Sequence, residues 1–109
     1  MEYFKVADKT KLPAGKMIVV TVAGKEVLLA NVEGSFYAIA NKCTHLGGSL
    51  AEGTLAGNIV ACPRHGACFD VKTGKNVGEA KIAFIKMKVK DEVSYTVKVK
   101  GDDILVGIA

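Results

Sequence analysis

Two cysteines stand a short way ahead of two histidines, as Cys43-Thr44-His45 and, sixteen residues later, Cys62-Pro63-Arg64-His65. The chain has only two histidines, so both belong to these pairs. Thiolate and imidazole are the usual soft and borderline metal ligands, and a core histidine would need an apolar face that these Gly-rich loops do not offer. Two centres use such a donor set. One is a tetrahedral structural zinc, and the other is a two-iron cluster with both thiolates on one iron and both imidazoles on the other. Structural zinc fingers usually pair Cys with Cys and His with His at short spacing. Here each loop supplies one of each, which suits a cluster bridging two loops.

The flanking sequence must hold those loops. Met17 to Val22 and Lys25 to Val32 are β-branched, apolar runs separated by Ala23-Gly24, which predicts a hairpin; Glu33-Gly34 then leads into a third strand from Ser35 to Ala40. The meander stops at Asn41, and residues 42 to 54 are Gly-rich and aperiodic. A small strand is expected at 58–61, a turn at Lys72-Thr73-Gly74 and a strand over the apolar run from Ile82 to Val89. Val93, Tyr95, Val97 and Val99 alternate with polar residues, and Ile104, Val106 and Ile108 repeat that period after Gly101-Asp102-Asp103. The expected class is all-β: an antiparallel sandwich or barrel-like base carrying a small inserted loop subdomain, without a long helix.

The 109 residues and 11.5 kDa fit one domain, half apolar and 24% charged. No apolar run reaches the ~18 residues of a membrane helix, and Met1-Glu2-Tyr3-Phe4-Lys5 lacks a signal peptide's basic head, so the expected compartment is the cytoplasm, with no membrane partner. A net charge of +4 is too small to imply nucleic acid. Three cysteines are an odd count, against a disulfide framework. Cys68 reads as a small buried hydrophobe outside the site. Lys86, Lys88, Lys90, Lys98 and Lys100 alternate along what read as two neighbouring strands and are expected to share a face. No Gly-x-Gly-x-x-Gly nucleotide fingerprint occurs.

The motif formed by Cys43-Thr44-His45-Leu46-Gly47-Gly48 and Cys62-Pro63-Arg64-His65-Gly66-Ala67, followed by Phe69-Asp70-Val71-Lys72-Thr73-Gly74, resembles the Rieske iron–sulfur family. The resemblance is firmest over residues 41–74, the expected cluster-binding region of a single domain spanning 1–109. It implies the Rieske fold and one [2Fe–2S] cluster per chain, with Cys43 and Cys62 on the inner iron and His45 and His65 on the outer, exposed one. It implies no catalytic residue and no small-molecule substrate, but a one-electron carrier between a protein reductase and an oxygenase or other terminal acceptor. The competing readings are a small subunit of a larger, nitrite-reductase-like complex and a zinc-stabilised β-domain binding RNA through its lysines. With neutral imidazoles an oxidised cluster and its ligands sum to zero charge, against minus two for four thiolates, so reduction is easier. Glycines 47, 48 and 66 would let backbone N–H groups approach the cluster sulfurs.

The subtype follows from departures. Where the family's respiratory branch has two cysteines that tie its ligand loops, this chain has Gly48 and Arg64; where that branch has a Ser and a Tyr donating to sulfur, it has Ala67 and Phe69. The resemblance therefore implies a potential near the lower end of the Rieske range. The chain has no proline after Gly74, so Gly78-Glu79-Ala80-Lys81 would fill, by position, the place of the family's proline-containing covering loop.

Overall fold

In the computed structural model the described residues are 1–43, 48–63, 66–78, 80–82, 85–87 and 90–109. The first strands are β1 (Glu2–Asp8), β2 (Met17–Val22), β3 (Lys25–Val32) and β4 (Ser35–Ala40). The middle of the chain supplies β5 (Thr54–Ala56), β6 (Ile59–Ala61), β7 (Cys68–Asp70), β8 (Asn76–Gly78), β9 (Ala80–Ile82) and β10 (Ile85–Met87), before β11 (Ser94–Lys100) and β12 (Asp103–Ile108). Helical structure among the described residues amounts to 3-10 turns at Lys9–Lys11 and Leu50–Glu52.

Both early hairpins turn on two residues with positive φ, Ala23 and Gly24 at 50° and 77°, Glu33 and Gly34 at 54° and 92°. That is the geometry whose twist matches paired strands. It sets the register, with Val22 opposite Lys25 and Val32 opposite Ser35. Six strands form one antiparallel sheet in the order β1-β12-β11-β4-β3-β2, and its outer strands β1 and β2 touch, so the sheet curls on itself. A second antiparallel sheet runs β5-β6-β7-β8. All of it enters between β4 and β11, which are themselves neighbours through Ser94 opposite Ile39 and Tyr95 opposite Ala38.

β3 is the wall shared by two cores. Val27 and Leu29 face the inside of the curled sheet with Leu12, Val22, Ile104 and Val106. Leu28, Ala30 and Val32 point the other way, packing with Ile39, Leu50, Val60, Phe69 and Val71 beneath the second sheet. Buried on both faces, β3 carries a continuous rather than alternating apolar run.

Two expectations are corrected. The run from Ile82 to Val89 is not one strand: β9 and β10 are separate three-residue strands paired antiparallel, with Ile85 opposite Ile82. No Gly, Pro, Asn or Asp interrupts that run, so its composition carries no sign of the break. Lys86 and Lys98 do not lie on neighbouring strands either, because β10 pairs with β9 while β11 pairs with β4 and β12. Lys98 instead lies over the Tyr3 ring, 4.3 Å from its centroid, and Lys88 is outside the described residues.

Candidate metal centre

The two cysteines begin loops of identical closure. The amide of Cys43 donates to the carbonyl of Gly48 at 2.6 Å, and that of Cys62 to the carbonyl of Ala67 at 2.7 Å. In each case the partner lies five residues on. His45, His65 and Arg64, together with Thr44, Leu46 and Gly47, lie outside the described residues.

The elements explain why these loops form. β4 ends at Ala40, and Lys42 pairs with Ser49 in an isolated antiparallel bridge, so the first loop is a hairpin-like excursion with Cys43 just above its neck. The second loop extends the β6–β7 hairpin, whose last pair is Ala61 with Cys68. Gly66 has φ of +76° and donates its amide to the Cys62 carbonyl at 3.1 Å. The positive φ favours glycine at this turn, and its N–H is engaged within the loop.

One strand pair joins the loops. After the 3-10 turn at Leu50–Glu52, Thr54 of β5 pairs with Ala61 of β6, the residue before Cys62. A Cβ at Gly53 would overlap the carbonyl oxygen of Ala61, so only glycine lets the backbones approach this closely.

Cys43 and Cys62 are 2% and 3% exposed and lie in one apolar cluster with Leu50, Val60, Ala67 and Phe69. Neither forms a disulfide. Two buried thiols on matched loops, each loop also containing a histidine, are a donor set that fits a two-iron cluster. Ala67 and Phe69 are fully buried and bring no hydroxyl to that cluster of side chains. Cys68 differs: it is half-buried, and its Sγ lies 3.3 Å from the Gly66 carbonyl oxygen.

A Rieske [2Fe-2S] domain model matches residues 2–83. The chain belongs to the Rieske [2Fe–2S] family. This Rieske chain is 36% identical over 99 residues to the ferredoxin component of the naphthalene 1,2-dioxygenase system of Pseudomonas aeruginosa, covering 91% of this chain and 88% of that one. Among solved structures it is similar to the ferredoxin of carbazole 1,9a-dioxygenase from Nocardioides aromaticivorans IC177, with a TM-score of 0.85, 31% identity and 97% of each chain covered. A complex of reduced oxygenase and oxidised ferredoxin in carbazole 1,9a-dioxygenase matches with a TM-score of 0.81 and 30% identity over 95% of this chain and 91% of that one. The Rieske chain is accordingly an electron carrier with a Rieske-type [2Fe–2S] cluster and not itself a catalyst. No helix among the described residues is long and apolar enough to cross a membrane.

Residues that sequence reasoning missed are those that hold the loops. Asn41, fully buried, is bonded through its side chain to Ser49 and Ala51 on the returning limb of the first loop, and Asn76 ties β8 to β7 through its Nδ2 and the Cys68 carbonyl at 3.1 Å. In the sequence each is a polar residue at a strand boundary, with nothing to mark its distant partners.

Proposed function

We propose that Cys43, His45, Cys62 and His65 hold the cluster, and that the chain takes one electron from a protein reductase and delivers it to an oxygenase in the cytoplasm. The observation that carries the ligand set is the matched closure of the two loops, Cys43 to Gly48 and Cys62 to Ala67, with both thiols buried in one apolar cluster. The cluster, when bound, supplies reversible one-electron chemistry. The chain's own residues set its conditions. Cys43 and Cys62 would bind from the protein side, while Leu50, Val60, Ala67 and Phe69 keep water from their thiolates. His45 and His65, as neutral donors, leave the site without the added negative charge of two further thiolates, which favours reduction.

The acceptor class is proposed from the relatives, which are ferredoxin components of dioxygenase systems, one of them in complex with its oxygenase. The ligand loops belong to a single domain over 1–109, with residues 41–74 as the binding region. Nucleic acid, membrane and small-molecule substrate have no part in this function.

A spectroelectrochemical titration of the purified chain near neutral pH tests the proposal. A coloured centre with a midpoint near or below about −100 mV is expected for a ferredoxin that feeds an oxygenase. A midpoint near about +200 mV would point instead to a respiratory-type carrier, and a colourless preparation without redox-active absorbance would overturn the ligand assignment.

A further inference from the structure

We propose that Asn41 is the positioning residue of the first cysteine loop, its side-chain amide locking the loop's neck and thereby fixing Cys43. This rests on the reading of Cys43 as a cluster ligand.

Asn41 is fully buried two residues before Cys43, and each of its polar atoms is engaged. Its amide N–H donates to the Glu26 carbonyl at 3.1 Å, and its carbonyl accepts from the Leu50 amide at 2.9 Å. Its Oδ1 accepts from the amide of Ala51 at 2.9 Å, and its Nδ2 lies 2.9 Å from Ser49 Oγ and 3.2 Å from Glu26 Oε1. One side chain therefore joins three segments: the end of β4, the start of β3 and the returning limb of the loop. With Ser49 and Glu26 as its acceptors, the amide does this by accepting from one backbone and donating twice from the same planar group.

The neck needs such a lock. A cleft of about 460 Å³ opens along it, lined by Gly24, Glu26, Asn41, Lys42, Gly48 and Ser49. Water in that cleft competes for the backbone bonds of the neck, and the buried Asn41 network is the internal alternative. The second loop needs no equivalent because it continues a strand ladder, whereas the first, among the described residues, has a single isolated bridge between Lys42 and Ser49.

The test uses the full chain as purified, with Asn41→Leu, Ser49→Ala and the double variant Asn41→Asp with Glu26→Gln. Leucine removes all side-chain bonds. The double variant restores the Glu26 contact with its polarity reversed, since the glutamine donates to the aspartate, and it leaves the net charge unchanged. Three readouts are taken: loss of visible absorbance to an iron chelator, the visible circular dichroism of the cluster, and hydrogen exchange at the Cys43 and Leu50 amides. Asn41→Leu is expected to lose absorbance about tenfold faster and to exchange both amides faster, Ser49→Ala to fall between, and the double variant to stay within about threefold of the parent with its dichroism unchanged. If Asn41→Leu fails to fold, Ser49→Ala carries the comparison. Parental rates and exchange in Asn41→Leu, or in Ser49→Ala when it stands alone, would overturn the proposal, as would a double variant no better than Asn41→Leu. Retention of the two-iron spectrum in Cys43→Ser would instead sink the ligand reading, and amide exchange would still decide whether Asn41 locks the neck.

Discussion

Gly74 and Glu92 meet backbone to backbone. The Glu92 amide donates to the Gly74 carbonyl at 2.7 Å, Gly74 has φ of +79°, and a Cβ on Gly74 would overlap the Glu92 carbonyl oxygen. This contact, with the bond from the Asn76 amide to Asp91 Oδ1 at 2.8 Å, fastens the second sheet to the segment that leads into β11. Gly74→Ala both strains φ and forces the two backbones apart. It is expected to cost about 3 kcal/mol in urea unfolding, far more than an ordinary loop substitution. A change below about 0.5 kcal/mol would show that the contact contributes nothing to holding the sheets together.

Ala67 and Phe69 share the buried cluster with Cys43 and Cys62, and neither carries a donor. Ala67→Ser and Phe69→Tyr each put a hydroxyl there. A hydrogen bond to sulfur that strengthens on reduction by about 1.4 kcal/mol raises a one-electron potential by about 60 mV. Each variant is expected to shift the midpoint upward by tens of millivolts on that scale, read by the same redox titration as the parent. An unchanged or lowered midpoint in both would mean that these side chains do not face the sulfurs.

The sequence made the early strands legible because local chemistry repeats there. Ala23-Gly24 and Glu33-Gly34 mark turns, and the runs between them end where β2, β3 and β4 end. The donor residues were legible for a similar reason, since Cys-x-His and Cys-x-x-His stand out against a chain with two histidines. β1, β5, β7 and β8 carry no clear strand signal in the sequence. Three of these have three residues, too short to show a period, and they exist because the sheet pairs them. The alternation predicts Val93 on the apolar face of its strand, yet it is 60% exposed and precedes β11. Asn41 and Gly53 act through partners brought close only by the fold, so no local pattern distinguishes them from ordinary turn residues.

Tyr95 is half-buried on β11 against the core of the curled sheet. Burial, with a smaller contribution from the Glu92 carboxylate, holds its hydroxyl above the ordinary tyrosine pKa. The folded chain keeps a proton that the unfolded chain releases. The resulting stability is therefore complete below the ordinary value of about 10 and is lost as pH rises through the folded value. Tyr95→Phe is expected to flatten the alkaline limb of a stability profile taken by urea unfolding between about pH 8 and 11. Parallel limbs for the parent and the variant would show that another group governs that range.

Cys62 and Cys68 separate a ligand from a bystander within one loop. Cys62 is 3% exposed, starts the closed loop and packs in the apolar cluster, whereas the half-buried Cys68 turns its Sγ to the Gly66 carbonyl oxygen. A serine hydroxyl stays protonated near neutral pH and is a harder donor than thiolate, so it replaces a cluster ligand poorly. Cys62→Ser is expected to abolish the two-iron absorbance, and Cys68→Ser to keep its iron content and midpoint. His65→Cys adds a negative ligand and is expected to lower the midpoint while retaining colour. Iron analysis with visible spectra of the three variants checks all of this. Loss of iron in Cys68→Ser, with Cys62→Ser still coloured, would move the inner ligand from residue 62 to residue 68.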